Sequence, residues 1–512
     1  MLTRYLLAGI LLVLSQAQCA HGGPTDYRAY RKQRISAMTT NDGFTDVVTA
    51  PATSNSPART FGTFAPGVGP VFGQGGLVYI GNEQGTLFAL RPDGQQVWRS
   101  QLPNEQGILN QREIKASAVV GADGSIYVVG VIGRRPGQGT AVGQQATLYK
   151  FNAGGGLLWQ TDFPAVNQKN GYTTAPPNIW SSGGTEVIMV PAVYPTSVGV
   201  ALHLDAFSST NGQWLADTIV TNTPATTTGT SDSFLTDVLN FLTRWPPIFR
   251  FTEPYVSDPH ESIPLYGSPP LPGVAVFADR RGGAPLVVVS DGMHDVVGYT
   301  FQLNPNQFNE VFRAHDTARQ AASGPMVLPD GHSAAGTDDG NNGGRITFPG
   351  PSGTELKDVK VPGGILGTPS RTANGEIVGV GYARQGGFVT MLNRDGILHR
   401  GFTTGQTLAS AAVSRNHIFV ATASALATFE VGTLNPIQLS RWSGVALGGL
   451  WPPVIGPDGR VYAIVYNTPP PQPPPNTVVM ASNTLFIYPP PPASVARGVG
   501  GAQSGGSIAP PH

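Results

Sequence analysis

From about Phe61 onward the chain repeats one pattern of apolar and polar positions. A short apolar run is followed by a tight-turn signal, a second run of β-branched and aromatic residues, a polar hairpin and a third run. Ala118-Val119-Val120 leads through Asp123-Gly124 into Ile126-Tyr127-Val128, and Pro453-Val454-Ile455 leads through Asp458-Gly459 into Val461-Tyr462-Ala463. Asp-Gly between two such runs is a strong hairpin signal, because both central residues of the turn need the backbone freedom that these types allow. Looser copies carry Asp330-Gly331 after Pro325 and Asn374-Gly375 after Pro369, and in the first unit Gln74 to Gly76 stands in the turn before Leu77-Val78-Tyr79-Ile80.

Units open near Pro70, Ala118, Pro177, Pro272, Pro325, Pro369, Ala412 and Pro453. The later ones are spaced by roughly 40 to 45 residues, the length of a four-stranded propeller blade. The chain is therefore expected to be all-β: a single β-propeller of eight four-stranded blades with one short inserted helix. The last unit runs to Leu485-Phe486-Ile487-Tyr488 and meets Pro489 to Pro492, which cannot donate ladder hydrogen bonds, so its fourth strand must come from elsewhere. Arg59 to Phe64, just before the first unit, is the candidate.

A second element holds the register. Leu87-Phe88-Ala89-Leu90 leads through Asp93-Gly94 to Trp98, Leu148-Tyr149-Lys150-Phe151 through Gly154 to Gly156 to Trp159, and Leu204-Asp205-Ala206-Phe207 through Asn211-Gly212 to Trp214. These segments resemble the tryptophan-docking motif of the PQQ-like β-propeller repeat family, the quinoprotein alcohol dehydrogenase-like superfamily. The likeness spans about residues 61 to 490 and is clearest in the first two units. It implies that Trp98, Trp159 and Trp214 are structural repeat tryptophans at seams between blades. It also implies two possible occupations: dehydrogenases that use pyrroloquinoline quinone (PQQ) with calcium, and non-enzymatic, BamB-like members, closest in character to this chain, that act as scaffolds in envelope protein assembly.

Two insertions break the rhythm. Within about 221–264, Phe234, Leu235, Val238, Leu239 and Leu242 form one apolar stripe after capping candidates Ser231 and Ser233, and Trp245-Pro246-Pro247 ends it. That is an amphipathic helix, packed on the rim or offered to a partner. Thr468 to Pro475 is a proline run, expected as an extended hairpin tip.

Charge removes several functions. Of 512 residues 31 are basic and 31 acidic, so no broad field attracts nucleic acid or an anionic surface. At the amino terminus Arg4, the apolar run Leu6 to Leu14 and the small residues near Ala20 read as a signal peptide over 1–20, which places the mature chain in the periplasm or outside the cell. Cys19 is the single cysteine; Gln18 directly before it and Gln16 argue against a lipid anchor. Residues 21–58 read as a polar linker or surface arm, 59–490 as the propeller and 491–512 as a disordered tail. No apolar run is long enough for a transmembrane span.

The chemistry-bearing residues are few. No His-Glu-x-x-His, Gly-x-Ser-x-Gly or phosphate-binding Gly-Lys-Ser/Thr pattern occurs. The vicinal cysteine pair of many quinoproteins has no counterpart, and none of the seven tryptophans is assigned to stacking beneath a quinone, so no catalytic residue or cofactor is expected. Asp338, Asp339, Asn341 and Asn342 are oxygen-rich, as a calcium loop is, but lack its spacing and are expected to form a plain turn. Asp291, Gly292, His294 and Asp295 are likewise expected to form a plain turn, with the lone histidine solvated. The leading function is an exported, non-catalytic binding or scaffold protein whose partner is another envelope or extracellular protein. The alternatives are a PQQ-dependent or other dehydrogenase with its site at the central channel, and a carbohydrate or polymer binder.

Overall fold

The computed structural model describes residues 59–65, 67–103, 112–132, 145–166, 169–182, 184–195, 199–224, 273–277, 284–292, 294–315, 321–328, 331–339, 343–350, 356–365, 367–383, 386–403, 407, 409–422, 424–442, 446–447, 449, 451–467 and 482–488. Eight antiparallel sheets follow one another along the chain. Blade 1 is Val71–Phe72, Val78–Gly81, Thr86–Leu90 and Gln96–Gln101. Blades 2 to 7 occupy 112–162, 178–224, 275–315, 321–361, 370–403 and 412–441. Blade 8 runs from 446 to 488 and takes its outermost strand from the other end of the fold.

The inner strands are mostly apolar because both of their faces are buried. All seven residues of Ile126–Ile132 are buried. Ile126 and Val128 join Leu87 and Ala89 of blade 1, whereas Tyr127, Val129 and Val131 join Ile188 and Val190 of blade 3. Successive side chains of a strand point to opposite sides, so one strand serves two seams. The outermost strands Gln96–Gln101 and Leu157–Asp162 have exposed positions at every second or third residue, since only one side of each has a neighbour.

Each of the eight neighbouring pairs, including 8 and 1, shares a continuous buried cluster. That makes the sheets a closed ring. Arg59–Thr60 pairs antiparallel with the last strand, Arg59 opposite Leu485 and Thr60 opposite Thr484, the strand that the proline run at 489–492 denies to the carboxyl end. Trp451 Nε1 donates to Ala65 O at 2.9 Å and Tyr462 OH to Pro92 O at 3.0 Å across the same seam. A closed ring leaves no inner sheet edge to recruit another chain.

The turns follow the local chemistry of their residues. Ser125 N donates to Asp123 Oδ1 at 2.9 Å and Arg460 N to Asp458 Oδ1 at 3.2 Å, while Gly124 and Gly459 adopt φ of 80° and 83°. The same Asp-Gly turn thus recurs in blades 2 and 8. The signal segment, the linker, the helix at Phe234, Leu235, Val238, Leu239 and Leu242, the proline tip and the tail lie outside the described residues. Among the described residues no helix is long and apolar enough to cross a membrane.

Candidate functional site

Blade topology divides the ring into two faces. Turns between first and second and between third and fourth strands lie on one, here the turn face. Hairpins between second and third strands, and the crossovers to the next blade, lie on the other, the loop face. The three longest segments between consecutive strands, 133–145, 225–274 and 468–481, all join strand ends on the loop face. Variable segments held at fixed places by a rigid scaffold are where binding surfaces are usually built.

Charged side chains on the loop face are engaged with one another. Between blades 1 and 2, Lys115 Nζ lies 2.8 Å from Glu113 Oε2. Burial opposes the charge of Lys115, but Tyr172, Glu113 and Glu83 outweigh it and raise its pKa; burial raises that of Glu83. Arg112 is buried, and its Nη1 donates to Thr147 Oγ1 at 2.5 Å; that hydroxyl donates to Asp162 Oδ1 at 2.5 Å. In blade 4, Asp295 accepts Arg313 Nη1 at 2.8 Å and lies 2.5 Å from His315 Nδ1. In blade 5, Arg345 holds Asp339 at 2.7 Å and Asp358 at 2.9 Å, and Asp338 accepts the hydroxyl of Tyr382.

One buried contact crosses the interior of the ring toward this face. Tyr382 belongs to blade 6, yet it is part of the buried cluster formed by Phe64, Ala65, Val68 and Trp451 at the seam of blades 8 and 1. Blade 7 separates these elements along the ring, so their contact runs across its interior. Trp451 and Tyr382 are both buried.

The tryptophans of the repeat motif divide. Trp98 Nε1 donates to Ala153 O in the next blade at 3.0 Å, and a Cβ on Gly155 would come within 2.7 Å of the indole. Trp159 donates to Ser209 O at 3.2 Å over Gly212 in the same manner. Trp214 departs from this: its indole donates to Asp205 of its own blade at 3.2 Å, and it is 42% exposed. Asp338 and Asp339 bind separate protein partners, while Asn341 and Asn342 lie outside the described residues. Among the described residues no group of three or more metal-binding side chains converges.

The turn at Asp291 to Asp295 forms as expected, with an ion pair at its end that the sequence did not show. Asp291 bonds the amide of Asp295 at 2.9 Å, as a turn residue does, but Asp295 is buried and ion-paired. Its partners were legible only from strand register, which sets Asp295 opposite His315 and Val297 opposite Arg313. Also missed was Asp205. It sits in an apolar strand with no exposed surface, taking the Tyr194 hydroxyl at 2.8 Å. Burial pushes its pKa up to about 7, the bonds from Tyr194 and Trp214 pull it down, and Asp217 raises it again.

No family model matches the chain, and no curated protein matches it. Several solved structures are similar. BamB from Moraxella catarrhalis aligns at 12% identity over 86% of this chain and 100% of its own, with a TM-score of 0.47. The C-terminal WD40 domain of Sif2 aligns at 11% identity over 83% and 99%, also at 0.47. The dihydro-heme d1 dehydrogenase NirN in complex with DHE aligns at 12% identity over 73% and 66%, at 0.43.

Proposed function

We propose that this protein is a non-catalytic binding or scaffold propeller of the cell envelope or extracellular space that engages another protein through its loop face. The observation that carries the reading is that the strand ends flanking the three longest inter-strand stretches, 133–145, 225–274 and 468–481, all lie on that one face. Random insertion distributes segments over both faces; a binding surface collects them on one. The buried contact of Tyr382 with the Trp451 cluster supports the same reading over a channel-centred dehydrogenase, because it sets bulky side chains inside the ring. Export rests on the charged, apolar and small-residue succession of residues 1–20.

The test is photo-crosslinking in the source cell from single positions on the two faces. His315, 55% exposed, probes the loop face, and Asp395, 86% exposed, probes the turn face. Discrete protein adducts from the loop face alone are the expected result; equal labelling from both removes the basis of the proposal. A melting titration with PQQ and calcium addresses the alternative, since a ligand that binds the native state raises its apparent stability. The melting temperature is expected to stay in place, and a saturable rise reinstates the dehydrogenase.

A further inference from the structure

Blade 3 buries an acid that ring construction does not require. Asp205 lies in Gly199–Ser208 and is fully buried. Its Oδ2 accepts from Tyr194 and its Oδ1 from Trp214, both neutral donors. Across the ladder it faces Asp217, whose Oδ2 is 2.7 Å from His203 Nδ1. His203 shares the Asp205 side of its strand and packs against Tyr194 with ring centroids 4.6 Å apart and the planes tilted by 55°. Tyr194, His203 and Asp217 are thus the titratable groups around it, contributed by three strands of the blade. The facing blade presents Ala146, Leu148 and Phe163 to this seam. Its charged groups are engaged elsewhere, Lys150 with Ser209 O and Asp123, and Asp162 with Thr147.

An anion here is unfavourable for two reasons. It is removed from water among apolar side chains, and a second carboxylate stands opposite it. A buried group that ionises under such conditions recruits water rather than staying dry. Tyr194 carries the consequence toward the loop face. A Cβ on Gly171 would lie 2.6 Å from Tyr194 Cζ, so the phenol packs directly on the Gly171 backbone. Gly171 O accepts Ala146 N at 2.9 Å, and Tyr172 and Val193 exchange two backbone hydrogen bonds at 3.0 and 2.8 Å. These contacts anchor the small hairpin of Ala165–Val166 and Lys169–Asn170 in the crossover from blade 2 to blade 3. At the rim, Trp214 is the exposed end of the same chain of contacts.

The geometry points to Asp205 as a pH-responsive latch: as the neutral acid it seals the seam between blades 2 and 3, and once ionised it opposes Asp217, admits water along Tyr194 and Trp214, and loosens the crossover at Gly171–Tyr172. The latch goes beyond the proposed binding role and stands without it. Its effect is reversible, moving one proton between Asp205 and solvent.

The experiment uses the full chain labelled with 5-fluorotryptophan, the Trp214 resonance being assigned by its loss in Trp214→Phe. Between about pH 5.5 and about pH 8.5 that resonance is expected to follow a single titration, absent in Asp205→Asn and retained in His203→Gln. Exchange of the Tyr172 and Val193 amides is expected to match that of Asp205→Asn at the acidic end and to exceed it about tenfold at the basic end, as local opening requires. A titration that survives Asp205→Asn, or disappears in His203→Gln, overturns the proposal, as does exchange that stays level with the variant. If Asp205→Asn fails to fold, Asp217→Asn decides: removing the opposing charge must lower the titration midpoint, and an unchanged midpoint overturns the latch.

Discussion

The amide of Phe64 donates to Asn483 Oδ1 at 2.8 Å, joining positions 419 residues apart in the chain. The backbone of Asn483 donates to Gly62 O at 2.9 Å and its Nδ2 reaches Val465 O at 3.3 Å, so one residue holds the closing strand to blade 8. Asn483→Ala leaves a buried amide without its acceptor and is expected to lower stability by about 1–3 kcal/mol. Deleting 59–64 is expected to lower it further. Denaturant midpoints check both, and an unchanged midpoint for the deletion refutes a stabilising role for this closure.

Gly155 has φ of 85° and lies under Trp98, whereas Gly184 has φ of 83° with open space where a Cβ would stand. Alanine at Gly184 meets only backbone strain, on the order of 1 kcal/mol. Alanine at Gly155 must also displace the indole and is expected to cost about 2–4 kcal/mol. Comparing the two melting curves isolates the docking contact.

Asp205 gives stability a particular pH dependence. Its folded pKa of about 7 lies above the ordinary 3.8, so the folded state binds the proton more tightly than the unfolded chain. The stabilisation is complete below the ordinary value, falls as pH rises from about 4 to about 7, and is lost above that window. Its size is on the order of 4 kcal/mol. Other carboxylates act in the opposite sense, Asp123 with its lowered pKa among them. The check is therefore the difference between wild type and Asp205→Asn, which should shrink as the solution becomes more acidic if the amide replaces the neutral acid.

Arg313 ties blade 4 to blade 3 through Val220 O at 2.8 Å and also neutralises the buried Asp295. Arg313→Ala strands both and is expected to cost about 2–4 kcal/mol. Arg313→Lys keeps the charge but not the planar fork and should recover part of that loss. Urea titrations of the two variants test the order, which reverses if bulk alone matters at this position.

Each of the eight unit starts read from the sequence falls within about three residues of a first-strand segment, although blades 2, 5 and 8 carry an earlier segment at Arg112, Ala321 and Ala446. They were legible because short apolar runs, Asp-Gly turns and proline stops are local properties, written within a few residues of the structure they cause. Trp98 and Trp159 followed the same logic. Trp214 did not, because docking also needs a turn on the neighbouring blade. Blades 2 and 3 offer Gly155 and Gly212 in left-handed conformations, whereas the corresponding turn of blade 4, between Asp295–Leu303 and Asn306–His315, is Asn304-Pro305.

What no local pattern contained was which side chains meet across strands and seams. Asp205 reads as one polar residue in an apolar run. Its partners depend on the register of three strands, and that register shifts between Leu202 and His203 and again between Ala206 and Phe207. The pairing of Arg313 with Val220 depends on the seam between blades 3 and 4, and the meeting of Tyr382 with the Trp451 cluster on the curvature of the ring. The sequence by itself determined the blades, their order and their turns, since each arises from neighbours along the chain. Only the tertiary structure decided the buried charges and the contact across the ring interior, since those arise from meetings between residues that the chain keeps far apart.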